Sequence, residues 1–288
     1  MIRVHSVDGN SQRLDGGAMF GNCPRPVWEK WAPPDSLHRI SLACRALLVR
    51  EAGRHVLFEA GVGAFFEPTL RDRYGVTEPD HVLIRSLDRL GVLPEQVDVV
   101  VLSHLHFDHA GGLLSGWEPG TPPQLVFPNA CYVAGKQAWD RALRPHFRDR
   151  ASFVPELNRL LQESGRLELV DDATCTLLPK DRYSFSFSDG HTPGLTLGRI
   201  LTSRGPVTFV GDLIPGVPWV HLPITMGYDR FPERLIEEKQ VLLDRVIAED
   251  GWLFFTHDPG TAACKVRRDG KGRYEAVERL AGVAWEEA

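Results

Sequence analysis

The sequence predicts an α/β fold built from two β-β-α-β modules that face each other, and three observations carry that prediction. Short apolar runs of strand length alternate with longer stretches of helical periodicity. The same succession occurs twice at an offset of 153 residues: a hairpin ending in an acid, a helix, then an apolar strand ending in a histidine. Glycine and proline mark the joins between these pieces. A prior of about 150 residues per domain would divide 288 residues in two. Modules that share one edge instead predict a single domain over residues 1–288.

Taken in order, Met1-Ile2-Arg3-Val4 opens as a strand. No apolar stretch of signal-peptide length follows, and no run of eighteen apolar residues occurs anywhere, so a cytoplasmic location is expected. From about residue 14 to residue 36, Met19, Phe20, Trp28 and Trp31 are interrupted by Pro24, Pro26, Pro33 and Pro34. That composition predicts a stiff, irregular apolar arm, packed on the core, on a second subunit of a homodimer, or along one wall of a substrate pocket. Residues Arg45 to Val49 and His55 to Phe58 flank the turn Glu51-Ala52-Gly53 and form a hairpin that ends at Glu59, before Gly61. A helix around Val82 to Leu90 leads to the apolar strand Val97 to Leu102, which delivers His104. In the second half, Arg199 to Thr202 and Val207 to Val210 flank Arg204-Gly205-Pro206 and end at Asp212. A helix around Arg234 to Ile247 then leads to Trp252 to Thr256 and His257. The interval from acid to histidine is 45 residues in both halves. His38 matches His191 at the same offset and is given no role.

The chemistry is concentrated in Ser103-His104-Leu105-His106-Phe107-Asp108-His109-Ala110-Gly111-Gly112, where three imidazoles and a carboxylate arrive together at a buried strand's carboxyl end. Each would carry a desolvation cost, which a shared divalent cation offsets. Asp189-Gly190-His191-Thr192-Pro193-Gly194 is a turn able to aim one imidazole, and Asp258-Pro259-Gly260 stops the chain after His257. Adding His191, Asp212 and His257 to His104, His106, Asp108 and His109 gives seven donors, too many for one tetrahedral ion and suited to two ions sharing a carboxylate and a water. Five cysteines, Cys23, Cys44, Cys131, Cys175 and Cys264, lack zinc-knuckle or redox spacing and read as buried thiols. With 33 basic and 38 acidic residues and a net charge of −5, nothing here attracts nucleic acid or an anionic membrane. A small, neutral, partly apolar partner is expected.

The order Glu59-Ala60-Gly61, His104 to His109, His191, Asp212, His257 resembles the metallo-β-lactamase superfamily of hydrolases, over about Arg45 to His257. The resemblance implies a four-layer αββα sandwich. It assigns His104, His106 and His191 to one metal, Asp108, His109 and His257 to the other, and makes Asp212 the bridge. Glu59 stands where the family usually has aspartate, in a position that supports the histidine loop from behind the ligands. The common dizinc β-lactamases carry cysteine where Asp212 stands. The superfamily's nucleases have a large insertion, for which the 45 residues between Asp212 and His257 leave no room, and only 31 residues follow His257, too few for the helical domain of glyoxalase-type thioesterases. The flavodoxin domain of the flavin-linked diiron members is absent as well.

What remains is similar to the quorum-quenching N-acyl homoserine lactonases and their phosphotriesterase-like relatives, through Leu14-Asp15-Gly16-Gly17-Ala18-Met19-Phe20-Gly21, Leu93-Pro94-Glu95-Gln96-Val97-Asp98 and the histidine string. The resemblance implies hydrolysis of a lactone by hydroxide formed between two ions, zinc first, with manganese, iron or cobalt equally suited to these donors. Asp108 would pass the proton to the leaving alkoxide. Residues 215–229 predict a loop over the site, with Trp219, His221, Met226 and Tyr228 toward substrate beside Met19, Phe20 and Trp28, and Tyr228 as a hydrogen-bond donor. An aryl-ester, thioester or phosphotriester hydrolase would use the same ligands. So would an iron-containing oxidoreductase or a non-catalytic ligand-binding regulator.

Overall fold

The computed structural model describes residues 2–287. The chain forms β1 (Ile2–Val7), β2 (Gln12–Asp15), the short helices α1 (Gly16–Phe20) and α2 (Arg25–Trp28), β3 (Arg39–Leu42), β4 (Ala46–Glu51), β5 (Arg54–Phe58), α3 (Pro68–Arg73), α4 (Val82–Arg89) and β6 (Val99–Leu102). There follow α5 (Phe107–Ala110), β7 (Cys131–Gly135), α6 (Lys136–Leu143), α7 (Pro155–Glu163), β8 (Leu167–Val170), β9 (Tyr183–Ser188), β10 (Leu195–Ile200) and β11 (Val207–Phe209). The long helix α8 (Pro232–Ala248) precedes β12 (Trp252–Phe254), β13 (Ala263–Arg268), β14 (Tyr274–Leu280) and β15 (Ala284–Glu287).

Thirteen of these strands make two sheets, in the orders β15-β1-β4-β5-β6-β7-β8 and β14-β13-β12-β11-β10-β9, while β2 and β3 pair separately. Between the sheets lies a core in which Val4, Leu47, Phe58, Val99 and Val101 meet Phe185, Ile200, Phe209 and Phe254. The alternation of β6 explains its unbroken apolar run: Val99 and Val101 face this core, whereas Val100 and Leu102 face the helices outside. Leu83 and Leu87 of α4, Trp139 of α6 and Leu157 and Leu161 of α7 cover the first sheet. Leu235, Leu242, Leu243 and Val246 of α8 cover the second. The result is the four-layer αββα sandwich.

The two modules are β4-β5-α4-β6 and β10-β11-α8-β12, each an antiparallel hairpin whose second strand pairs in parallel with the strand after the helix. Their equal sequence intervals conceal a shift. Phe58 stands opposite Val101, but Phe209 stands opposite Phe254, two positions from where the 153-residue offset would put it. Glu59 follows β5 directly, while Asp212 sits in a 3-10 turn, Gly211–Leu213, beyond the end of β11.

Two expectations change, those for the arm and for the thiols, and the chain's last strands extend both sheets. The arm is more regular than its prolines suggest, for it holds β2, α1 and α2 and packs over the second sheet with α8. The residues after His257 form β13, β14 and β15, and β15 returns to pair with β1. Cys44, Cys175 and Cys264 are buried, but Cys23 and Cys131 are only half-buried. Among the described residues no helix is long and apolar enough to cross a membrane.

Candidate metal centre

The histidine string leaves β6 at Leu102 and is held in place by backbone packing. Ala60 N–H donates to the His109 carbonyl at 2.9 Å and Gly112 N–H to the Gly61 carbonyl at 2.8 Å. A Cβ at Gly112 would lie 2.0 Å from the Ala60 carbonyl oxygen, so this approach requires glycine. Glu59 is fully buried in the left-handed region, with φ 70°, a conformation that costs a non-glycine residue about 1 kcal/mol or more. Its environment repays that: Oε1 accepts from Ser103 N–H at 2.5 Å, and Oε2 lies 3.0 Å from His109 Nδ1.

The seven polar residues named from the sequence converge at one edge of the sandwich. His104 Nε2 and His191 Nε2 lie 2.9 and 3.4 Å from His106 Nδ1. His109 Nε2 and His257 Nε2 are 3.1 Å apart, with Asp108 carboxylate oxygens 4.0 Å from the former and 3.7 Å from the latter. Asp212 stands between the two sets. Its Oδ2 is 3.2 Å from His191 Nε2, while its Oδ1 is 3.3 Å from His109 Nε2 and 3.2 Å from His257 Nε2.

Outer nitrogens fix the tautomers. His191 Nδ1 donates to Asp229 Oδ1 at 2.9 Å and His257 Nδ1 to the Ala43 carbonyl at 2.7 Å, which turns both Nε2 lone pairs inward. Facing lone pairs repel, yet these separations approach the roughly 3.3 Å edge of a tetrahedron with metal–nitrogen bonds of about 2.0–2.1 Å. The donor set therefore fits transition-metal ions. Burial, then the neighbouring imidazoles, hold His104 and His106 well below the usual imidazole range, so both stand neutral as ligands must. Burial opposes charge on Asp212 and on His109 and His257, but in the chain alone their mutual attraction wins, holding the carboxyl well below its usual range and both imidazoles well above theirs, so a cation bound here would take the place of those protons.

A cavity of about 230 Å³ opens onto these donors, lined by His106, Asp108, His191, Asp212 and His257 and walled by Met19, Met226 and Tyr228. The other pocket residues named from the sequence lie elsewhere. Phe20 is stacked between Trp28 and Trp219, with ring centroids 5.4 and 4.6 Å away, and all three are buried in the packing of the arm against the second sheet. Trp219 and His221 border a second, outer groove of about 970 Å³, which shares Leu42 and His257 with the cavity. Aromatic content had suggested a pocket wall where the chain builds core. The cavity also contains residues that no sequence signal singled out, among them Tyr74, Phe107, Arg148, Asp149 and Arg230. Two arginines make it less apolar than the chosen segments implied. No sequence signal reached Arg230, because the contact between its neighbour Asp229 and His191 exists only in the fold.

Two buried basic side chains shape the surrounding loops. Lys239 of α8 donates to the carbonyls of Trp219, His221 and Ile224 at 3.0, 3.3 and 2.7 Å, fastening the segment after Asp212. Arg45 donates to the carbonyls of Phe255 and Asp258 at 3.1 and 3.0 Å, on either side of His257. Asp258 Oδ2 in turn accepts from Val217 N–H at 2.9 Å, joining the two loops.

Comparison with known proteins agrees with this geometry. The family described as "Metallo-beta-lactamase superfamily" matches residues 41–257. An N-acyl homoserine lactonase from a Bacillus species is 29% identical over 200 residues, 66% of this chain and 68% of that protein. One from Bacillus cereus is 30% identical over 138 residues, covering 48% of this chain and 44% of that protein. Among solved structures, a probable metal-dependent hydrolase from Staphylococcus aureus superposes with a TM-score of 0.85 at 27% identity, over 97% of this chain and 98% of that one. A dizinc quorum-quenching lactonase with a homoserine product bound gives a TM-score of 0.75 at 20% identity, over 97% and 95%, a likeness of fold.

Proposed function

The chain belongs to the metallo-beta-lactamase superfamily, and from that premise we propose that it opens a lactone of the N-acyl homoserine class with two divalent ions at the centre described above. It is a metal-dependent hydrolase. The observation that carries the dinuclear reading is Asp212, whose two oxygens address different imidazole sets. In this reading His104, His106 and His191 hold one ion, Asp108, His109 and His257 the other, and Asp212 serves both. Zinc suits these donors, as do manganese, iron and cobalt. The lactone assignment draws on the Bacillus relatives and on a cavity sized for a small substrate beside the donors.

Bound ions supply Lewis acidity, which acidifies a water and polarises the ester carbonyl. The chain's own groups do the rest. Asp108 is the ligand carboxylate with some exposure to the cavity, so it can take the proton from the attacking water and return it to the leaving alkoxide. Burial, then the Asp108 carboxylate, push the Tyr228 phenol up, leaving it protonated and able to donate to a substrate oxygen. Glu59 and Asp229 fix the rings of His109 and His191 from behind. Met19 and Met226 give the cavity apolar walls.

Elemental analysis of protein never exposed to chelator should find close to two transition-metal ions per chain. On a panel of lactones, aryl esters, thioesters and phosphotriesters, lactones should give the highest kcat/KM. One ion or fewer, unchanged on adding metal, would overturn the dinuclear reading, and a preference for multiply charged phosphates would overturn the substrate class.

A further inference from the structure

Among the described residues the most exposed large apolar side chain is Phe147, at 83%. It stands at the tip of a turn in which the Asp149 and Arg150 N–H groups donate to the His146 carbonyl at 3.1 and 2.9 Å. The base of the turn is fastened. Buried Asp149 accepts from Arg141 Nε and Nη2 at 2.9 and 2.7 Å, and Arg148 Nη2 donates to the Gly227 carbonyl at 2.8 Å. Arg144, Arg148 and Arg150 surround the tip and are all exposed, with the Arg150 guanidinium 5.1 Å from the centre of the Phe147 ring. The segment that Arg148 holds repeats the pairing: Phe231 is 50% exposed, and the Arg234 guanidinium lies 5.6 Å from its ring centre.

The acids nearby leave a positive excess. Asp149 is taken by Arg141, Asp140 lies 4.0 Å from Arg144, and Asp189 pairs with Arg234 at 3.0 Å, with Glu233 exposed beside Arg234 in the chain. Arg148 and Arg150 form no ion pair among the described residues. The net charge of −5, which gave no reason to expect a membrane, averages over this local excess. A preordered turn that presents an apolar ring between guanidinium groups fits a surface that is anionic outside and apolar beneath, which is the interface of an anionic bilayer. An acidic protein surface would satisfy the arginines but leave the ring in a polar setting, and a free phosphate would leave it in water.

We propose that the turn at residues 144–150 docks the chain on an anionic membrane surface, Phe147 entering the headgroup region while Arg144, Arg148 and Arg150 meet lipid phosphates. This is peripheral attachment, which requires no spanning helix. Arg148 also lines the donor-facing cavity, so docking sets the cavity wall beside the bilayer, where apolar substrates partition. The docking itself does not depend on which bond the metal centre cuts.

Co-sedimentation of the metal-loaded protein with lipid vesicles tests this. Wild-type protein at low salt should pellet with mixed phosphatidylglycerol and phosphatidylcholine vesicles, stay in solution with phosphatidylcholine alone, and be released by added salt. Phe147→Ser should weaken binding about 10-fold, and Arg144→Gln and Arg150→Gln about 5-fold each. None of the three residues lines the cavity, so circular dichroism and metal content should match wild type and show that each variant folds. Absence of binding to the mixed vesicles, or equal binding to both kinds, overturns the proposal. So does binding that survives unchanged in folded Phe147→Ser, or in both folded arginine variants.

Discussion

Asp212 and Glu59 stand at matching sequence intervals in the two modules but at different places in the fold, and they do different work. Asp212 lies within 3.3 Å of three imidazole nitrogens from both donor sets, whereas Glu59 meets Ser103 N–H and the outer nitrogen of His109. Asp212→Ala should lose metal and nearly all activity, because in the proposed two-ion reading it takes away the anion the cations share. Glu59→Gln keeps shape and one hydrogen bond, and should lower metal affinity or activity about 10- to 100-fold. Metal content and turnover of the two variants measure this, and an inverted order would mean that the two acids have exchanged roles. The seven donors were legible in the sequence because ligand chemistry demands crowded residue types at strand ends. Arg148, Asp149 and Arg230 in the cavity wall were not, because which loop residues reach the cavity is decided by tertiary packing and leaves no trace in residue type or spacing.

The loop after Asp212 shows the limit at the level of elements. Its prolines correctly predicted irregular chain, with one 3-10 turn at Val217–Val220, but they could not show which side chains turn inward. Trp219 stacks on Phe20 while Met226 reaches the cavity, a choice made by Lys239 and its three carbonyl acceptors. Burial pulls the Lys239 ammonium down to about 7 against the attraction of Asp229. The unfolded lysine titrates near 10.4, so between about pH 7 and pH 10 the unfolded chain holds the extra proton and stability rises with pH. Relative to Lys239→Met, the wild-type chain should gain about 2–3 kcal/mol between pH 7 and pH 9. Urea denaturation of both proteins at the two pH values checks it, and equal slopes would show that Lys239 does not titrate in this window. In the modules, strands and helices were legible from periodicity. The two-residue register shift was hidden because the turn at Asp212 absorbs it without changing the sequence interval.

Across the whole molecule, the donors are divided between the halves: His104, His106, Asp108 and His109 precede the junction, and His191, Asp212 and His257 follow it. Ions held there would fasten two sheets that otherwise meet through apolar packing. At a thousandfold excess over its dissociation constant, a ligand stabilises the folded state by about 4 kcal/mol. For a chain of this size that corresponds to a fall in Tm of roughly 10 °C when the ion is stripped. Calorimetry before and after chelation, with recovery on adding back metal, measures the effect, and an unchanged Tm would place the donors outside the fold's stability. The division of donors also bears on heredity. Because neither copy of the repeated unit has a complete site, neither can be discarded or drift alone without loss to both.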